Sequence, residues 1–309
     1  QMCIRDRIKE SSYVGYREIK TSREIIDDIY KKQSLAPEIF ADEKPFVANE
    51  YITLTDGNTS ALCVYRDNCI RLLKDTTAFG IRPQNRLQRF ALDALLAPAE
   101  EIPLVILRGP AGTAKTFLSM AAALDKTYTD EFTRHTSSTS YDKIYIGRAN
   151  VSSDEAFGFL PGELEDKTRP LLGCFYSNLE DLLRKGNHEE DAQIQIQIDD
   201  MMETGLLRVF PLAYIRGMSI KNSFIICDEA QNIGRSLIRD IVTRCGQGSK
   251  LVILGDTNQI DVPFLDKTNS GLTYLAHNMK GSTKCAQITF TEKESVRSAL
   301  ATEALNRLM

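Results

Sequence analysis

Lys115 and Thr116 close a loop, Gly109 to Thr116, that follows the apolar run Leu104, Val105, Ile106, Leu107. A strand, a glycine-bearing loop, Lys-Thr and then a helix-like run is the layout that wraps phosphates. Loop N–H groups face the phosphate oxygens, the lysine reaches the β and γ oxygens, and the threonine hydroxyl ligates Mg²⁺. The candidate nucleotide contacts are Gly109, Pro110, Ala111, Gly112, Thr113, Ala114, Lys115 and Thr116. The strict pattern has glycine where Ala114 stands. Its methyl group is tolerated if its φ stays negative. A second feature is the pair Asp228-Glu229, which ends the apolar run Phe224, Ile225, Ile226, Cys227. Such a run makes a buried strand, and two carboxylates at its end cannot both be buried without a partner. Mg²⁺ supplies one: Asp228 would hold it through water, opposite Thr116. Glu229 would orient and deprotonate an attacking water. A third apolar run, Leu251 to Leu254, opens into Gly255-Asp256 and places Gln259 to sense the γ-phosphate or the hydrolytic water. The chemistry this set points to is hydrolysis of ATP with Mg²⁺.

Three further residue types are candidates around this core. Asn85 and Gln88 lie one turn apart near the start of an amphipathic run, before the loop. A carboxamide offers one donor and one acceptor, the complement of adenine N6 and N7, so the pair is expected to read the base. Arg148 follows a strand-like run and would sit on the ligand-facing edge of an open sheet, as a contact to nucleic-acid phosphate or an ordinary surface arginine. Arg297, after the last strand-like run, is a candidate arginine finger that would stabilise charge on the transferred phosphoryl group.

These groups need a scaffold that brings the ends of several strands together. Buried strands alternate with helical runs from Gly80 onward, which predicts an α/β fold with a mainly parallel sheet of the P-loop NTPase kind. The acid pair on its own strand and the Gly255-Asp256-x-x-Gln259 turn resemble the first RecA-like domain of superfamily 1 helicases. Helices are expected over 85–96, after the loop, and over 171–183. In 192–204 isoleucines alternate with glutamines at strand period, yet the helix-forming context and Met201-Met202 favour a helix. Upstream, Phe46 to Leu73 contains apolar runs broken by Asp56-Gly57 and Asp67-Asn68, the pattern of a small β-meander. Residues 1–45 read as a linker or truncated N-terminal segment, 46–79 as a small β subdomain, and 80–309 as the ATPase domain.

The 309 residues are 42% hydrophobic and 26% charged, ordinary for a globular protein. A net charge of −4 excludes a chain dominated by a basic surface, though not a local basic groove. Seven cysteines without a C-x-x-C and only three histidines argue against zinc and for reduced thiols in a cytoplasmic setting. No apolar run is long enough to span a membrane.

Six separated motifs carry a family resemblance: GPAGTAKT (109–116), GFLPGELEDK (158–167), PLAYIRGMSI (211–220), FIICDEAQN (224–232), GSKLVILGDTNQID (248–261) and SGLTYL (270–275). Their order and spacing resemble the PhoH family across residues 80–309. NRLQRFALD (85–93) with the β-meander resembles the form in which this ATPase domain follows a PIN ribonuclease domain. No PIN domain is recognisable in residues 1–45. The resemblance implies a superfamily 1 helicase-like core acting on single-stranded RNA, by binding, unwinding or remodelling. It also implies a homo-oligomer, such as a ring, in which a neighbour's arginine closes the site. Arg297 and Arg216, in the Tyr-Ile-Arg-Gly turn, are the two candidates. Two other readings stand beside it: a P-loop kinase, against which Glu229 argues, and a nucleotide-binding switch with negligible turnover, motivated by Ala114.

Overall fold

The computed structural model describes residues 13–128, 140–149, 173–187, 191–215, 218–295 and 303. The stretch before Pro45, expected as a linker, instead builds part of a sheet. β1 (Tyr16–Lys20), α1 (Arg23–Lys32) and β2 (Ser34–Leu35) join β3 (Glu50–Thr55), β4 (Ser60–Arg66) and β5 (Cys69–Leu72) in the order β1-β3-β4-β5-β2. The expected meander is β3, β4 and β5, antiparallel throughout, while β1 adds parallel to β3. The meander's turns have the predicted chemistry. Asp56 accepts the N–H groups of Asn58 and Thr59, and Asp67 and Asn68 both take positive φ. β1 escapes periodicity because only Ile19 of its five residues is buried. α1 is short; Ser22 caps it, and Ile26 and Ile29 pack it onto Ile52, Leu54, Ala61 and Ile70.

The larger sheet is parallel throughout. Its strands are β6 (Leu104–Arg108), β7 (Lys143–Arg148), β8 (Leu207–Pro211), β9 (Ser223–Asp228), β10 (Lys250–Gly255) and β11 (Cys285–Thr289), ordered β11-β6-β10-β9-β7-β8. β6, β9 and β10 are buried at every residue, as expected where both faces are covered. Val105, Leu107, Ile226, Val252 and Leu254 face α2 (Arg86–Leu96), α3 (Lys115–Thr127), α4 (Gly173–Asn187) and α5 (Asp191–Glu203). Leu104, Ile106, Ile225, Leu251 and Ile253 face α6 (Arg235–Arg244) and α7 (Gly271–Asn278). α5 settles the 192–204 ambiguity: Ile194 and Ile198, one helical turn apart, are buried, whereas Ile196 is 67% exposed.

Two joints fix the scaffold. α2 ends before Pro98, which has no N–H to give Ala94 O; Lys250 Nζ donates instead to Ala94 O at 2.9 Å and Ala97 O at 2.6 Å. The small sheet docks on β11 and α2. Thr289 N–H donates to Val14 O at 2.8 Å and Tyr51 N–H to Gly15 O at 3.0 Å, so one short segment serves both sheets. A Cβ at Gly15 would lie 1.6 Å from Gln287 O, so no other residue fits there. Asn49 Nδ2 donates to the carbonyls of Thr283 and Cys285, and Arg66 pairs with Asp93 at 2.6 Å.

Candidate active site

β6 delivers the chain into the loop at Gly109, and α3 starts at Lys115. Gly109 has φ +135° and passes so close to Phe290 that a Cβ would sit 2.6 Å from Phe290 O. Thr113, fully buried, donates its hydroxyl to Pro110 O and closes the turn. Lys115 Nζ folds back into the loop and donates to Gly109 O at 2.7 Å, Pro110 O at 2.8 Å and Thr113 Oγ1 at 3.3 Å. The lysine thus points into the hollow that a phosphate would enter. Ala114 departs from expectation: its φ is +65°, in the left-handed region, not negative. The loop geometry demanded by the turn into α3 wins over the alanine's preference, at a cost of roughly 1–2 kcal/mol.

β9 carries Asp228 to the same edge of the sheet. Thr116 Oγ1 donates to Asp228 Oδ2 at 3.1 Å, and Glu229 N–H donates to Asp228 Oδ1 at 2.9 Å. Burial pushes the Asp228 carboxyl up, and the Glu229 charge beside it adds to the shift, while the Glu229 N–H, Arg148 and the Thr116 hydroxyl oppose it. A buried carboxylate next to a hydroxyl is a donor set of hard oxygens that suits Mg²⁺, which keeps several waters and needs one or two protein ligands. Among the described residues there is no group of three or more His, Cys, Asp or Glu side chains arranged to hold a metal.

Glu229 follows with φ +55°, a second non-glycine residue held in the left-handed region at this site. Both of its carboxylate oxygens are engaged. Arg148 Nη2, from the end of β7, meets Oε1 at 3.1 Å, and Gln231 Nε2 meets Oε2 at 2.5 Å. The β7–β9 register sets Arg148 opposite Asp228, which is why its guanidinium reaches the next residue. Gln231 is fully buried and ties two turns together: its Nε2 also donates to Gln259 O, and its Oε1 accepts from Asp256 N–H. Asn232 repeats this one residue on, accepting the Asp261 N–H. The resulting cleft of about 270 Å³ is lined by Gly112, Lys115, Thr116, Asn178, Asp228, Glu229 and Gln259.

The structure therefore brings Lys115, Thr116, Asp228, Glu229 and Gln259 around one cleft. Gln231 and Asn178 were missed by sequence reasoning. Gln231 had a signal, an amide two residues after the acid pair that can bond as donor and acceptor at once; Asn178, on α4, had none. Asn85 and Gln88 sit elsewhere. Asn85 Oδ1 caps α2 by accepting the Gln88 N–H at 2.9 Å, and Gln88 Oε1 accepts the Gln84 N–H at 2.8 Å. Asn85 lines a separate depression of about 930 Å³ between the small sheet and α2. Arg297, Arg216 and the motif at 158–167 lie outside the described residues.

A parallel sheet whose strand ends gather a phosphate-type loop, a Thr–Asp pair and an acidic strand defines a P-loop NTPase of the RecA-like kind. The family model described as PhoH-like protein matches residues 80–308, and the chain belongs to the PhoH family. It is 34% identical over 314 residues to Protein PhoH2 of Bacillus subtilis strain 168, across 99% of this chain and 67% of that protein. It is 29% identical over 299 residues to Protein PhoH2 of Thermobispora bispora, across 96% of this chain and 63% of that protein. With the PhoH-like protein of Mycobacterium tuberculosis H37Rv it shares 38% identity over 183 residues, 59% of this chain and 46% of that one. The chain thus spans two thirds or less of these relatives. Membership makes it an ATP-binding, ATPase-like P-loop protein. Among the described residues no helix is long and apolar enough to cross a membrane.

Proposed function

We propose that this chain hydrolyses ATP with Mg²⁺ and couples turnover to binding and remodelling of single-stranded RNA. The observation that carries the hydrolytic part is the convergence of Lys115, the Thr116–Asp228 pair and Glu229 on one cleft. Phosphate oxygens replace the three loop acceptors of Lys115, which then balances charge on the β and γ groups. Thr116, and Asp228 through water, would hold Mg²⁺, which would supply positive charge against that developing on the phosphates. Glu229 takes a proton from water as the water oxygen bonds to the γ-phosphorus. The bond from that phosphorus to the β,γ-bridging oxygen breaks, releasing ADP and phosphate. Gln259 orients the water. Base reading by Asn85 and Gln88 belongs to the same proposal and requires their amide oxygens to give up the Gln88 and Gln84 N–H groups they accept at the start of α2. So does a homo-oligomer in which Arg297 or Arg216 reaches a neighbour's phosphates.

The RNA part rests on family membership and the helicase-like order of the motifs. Phosphate release measured with and without single-stranded RNA tests the whole reading. Stimulated hydrolysis in the wild type, abolished in Glu229→Gln and in Lys115→Ala, is the expected result. ATP binding with no release under either condition would assign the chain to nucleotide switches. Transfer to an acceptor without free phosphate would assign it to kinases.

A further inference from the structure

Glu229 is held in a resting arrangement that does not suit a base. A carboxylate that takes a proton from water needs a lone pair turned toward that water, and the bonds made to its two oxygens fix which way the carboxylate faces. Here Oε1 is paired with the Arg148 guanidinium and Oε2 accepts the Gln231 amide. The backbone at Glu229 is in the left-handed region, so the side chain is aimed by a strained turn and not by a regular strand. Gln231 is locked on its other side by Asp256 and Gln259, which makes its bond part of the scaffold. Arg148 is different. It stands at the carboxyl end of β7, its Nη1 donates to Cys174 Sγ at 3.5 Å on the first turn of α4, and its side chain is 29% exposed. Part of the side chain therefore faces solvent.

We propose that Arg148 is a positioning residue that latches Glu229 at rest, and that a phosphate-bearing ligand opens the latch by taking the guanidinium. The inference rests on the hydrolase reading above and adds a control to it. A guanidinium binds carboxylate and phosphate with the same planar fork, so exchange between the two acceptors requires no new donor geometry. The phosphate has two possible sources: the terminal group of the nucleotide, or the backbone of a single strand lying over the strand ends. Either exchange frees Glu229 Oε1 to face the water.

The test is steady-state ATP hydrolysis by the full chain carrying Arg148→Gln or Arg148→Lys, with and without poly(U). The latch predicts that basal kcat of Arg148→Gln rises about fivefold, the equivalent of about 1 kcal/mol for releasing a partly exposed ion pair. Arg148→Lys, which keeps the charge but loses the fork, gives a smaller rise. If the single strand is the opener, poly(U) stimulation of Arg148→Gln falls to near one with KM for ATP unchanged. If the nucleotide is the opener, KM rises and stimulation persists. A basal kcat that is unchanged or falls in Arg148→Gln overturns the latch while leaving the hydrolase reading intact. No turnover in the wild type overturns the hydrolase reading itself, and the latch with it.

Discussion

Lys250 should make stability depend on pH in a way that one substitution erases. Its side chain is fully buried, and burial pulls its pKa from 10.5 down to about 7, helped by Arg66 and opposed by Asp93, Glu101 and Glu100. Below pH 7 the amine is charged in both folded and unfolded chains, and the folded chain carries the full cost of a buried charge. Between 7 and 10.5 the folded chain is neutral there while the unfolded chain still binds a proton, so stability rises with pH. The amine keeps its bonds to Ala94 O and Ala97 O in either form. A slope of up to about 1.4 kcal/mol per pH unit gives a gain of roughly 2–3 kcal/mol between pH 6 and pH 9. Lys250→Met removes the titrating group and leaves two carbonyls at the end of α2 without their donor, a loss independent of pH. Urea unfolding of both proteins at pH 6, 7.5 and 9 isolates the effect, because titrating groups that do not interact with Lys250 cancel in the difference. The wild type should gain on the variant by that amount as pH rises. A difference that stays flat, or that shrinks toward pH 9, would refute the assignment of a neutralising amine at this joint.

Ala114→Gly removes the left-handed strain of roughly 1–2 kcal/mol but adds about 0.4–1 kcal/mol of unfolded-chain entropy. Thermal unfolding should shift up by about 1–3 °C with ATP turnover undiminished, and a lowered midpoint would contradict the strain. Gly109→Ala forces a methyl group against Phe290 O, at 2.6 Å, in a backbone conformation that alanine rarely adopts. Affinity for a fluorescent ATP analogue should drop about tenfold or more with the far-UV circular dichroism unchanged, since strain of this kind is on the order of 1–3 kcal/mol. Unaltered affinity would mean that the loop does not contact phosphate.

The central strands were legible because strands buried on both faces carry unbroken apolar runs, and β6, β9 and β10 are such strands. The phosphate loop was legible because its chemistry is local in sequence, from Gly109 to Thr116. What escaped was set by neighbours in space. β8, a five-residue sheet-edge strand ending in Pro211, has no run to announce it. β1 buries one side chain and depends on β3 for its pairing. The pairing of Arg148 with Glu229 follows from β7 lying beside β9, a crossover that spacing along the chain does not fix. Ala114 shows the reverse: the residue was visible, but its backbone conformation was decided by the loop. Asn85 was legible as a helix start, and its amide oxygen is spent on that capping task.

The segment Val14–Gly15 has a consequence for the order in which the chain folds. Its carbonyls complete β3 on one side and β11 on the other. Val14 is made before every strand of both sheets, and its partner Thr289 lies at the end of the last of them. The small sheet can form its hairpins at once, since β3, β4 and β5 close through short turns. Its docking must wait for β11, a closure across most of the polypeptide, and late long-range closures of this kind slow folding. During that interval β1, the edge strand of the small sheet, stands uncovered, so this stretch is the one most open to aggregation or to chaperone capture.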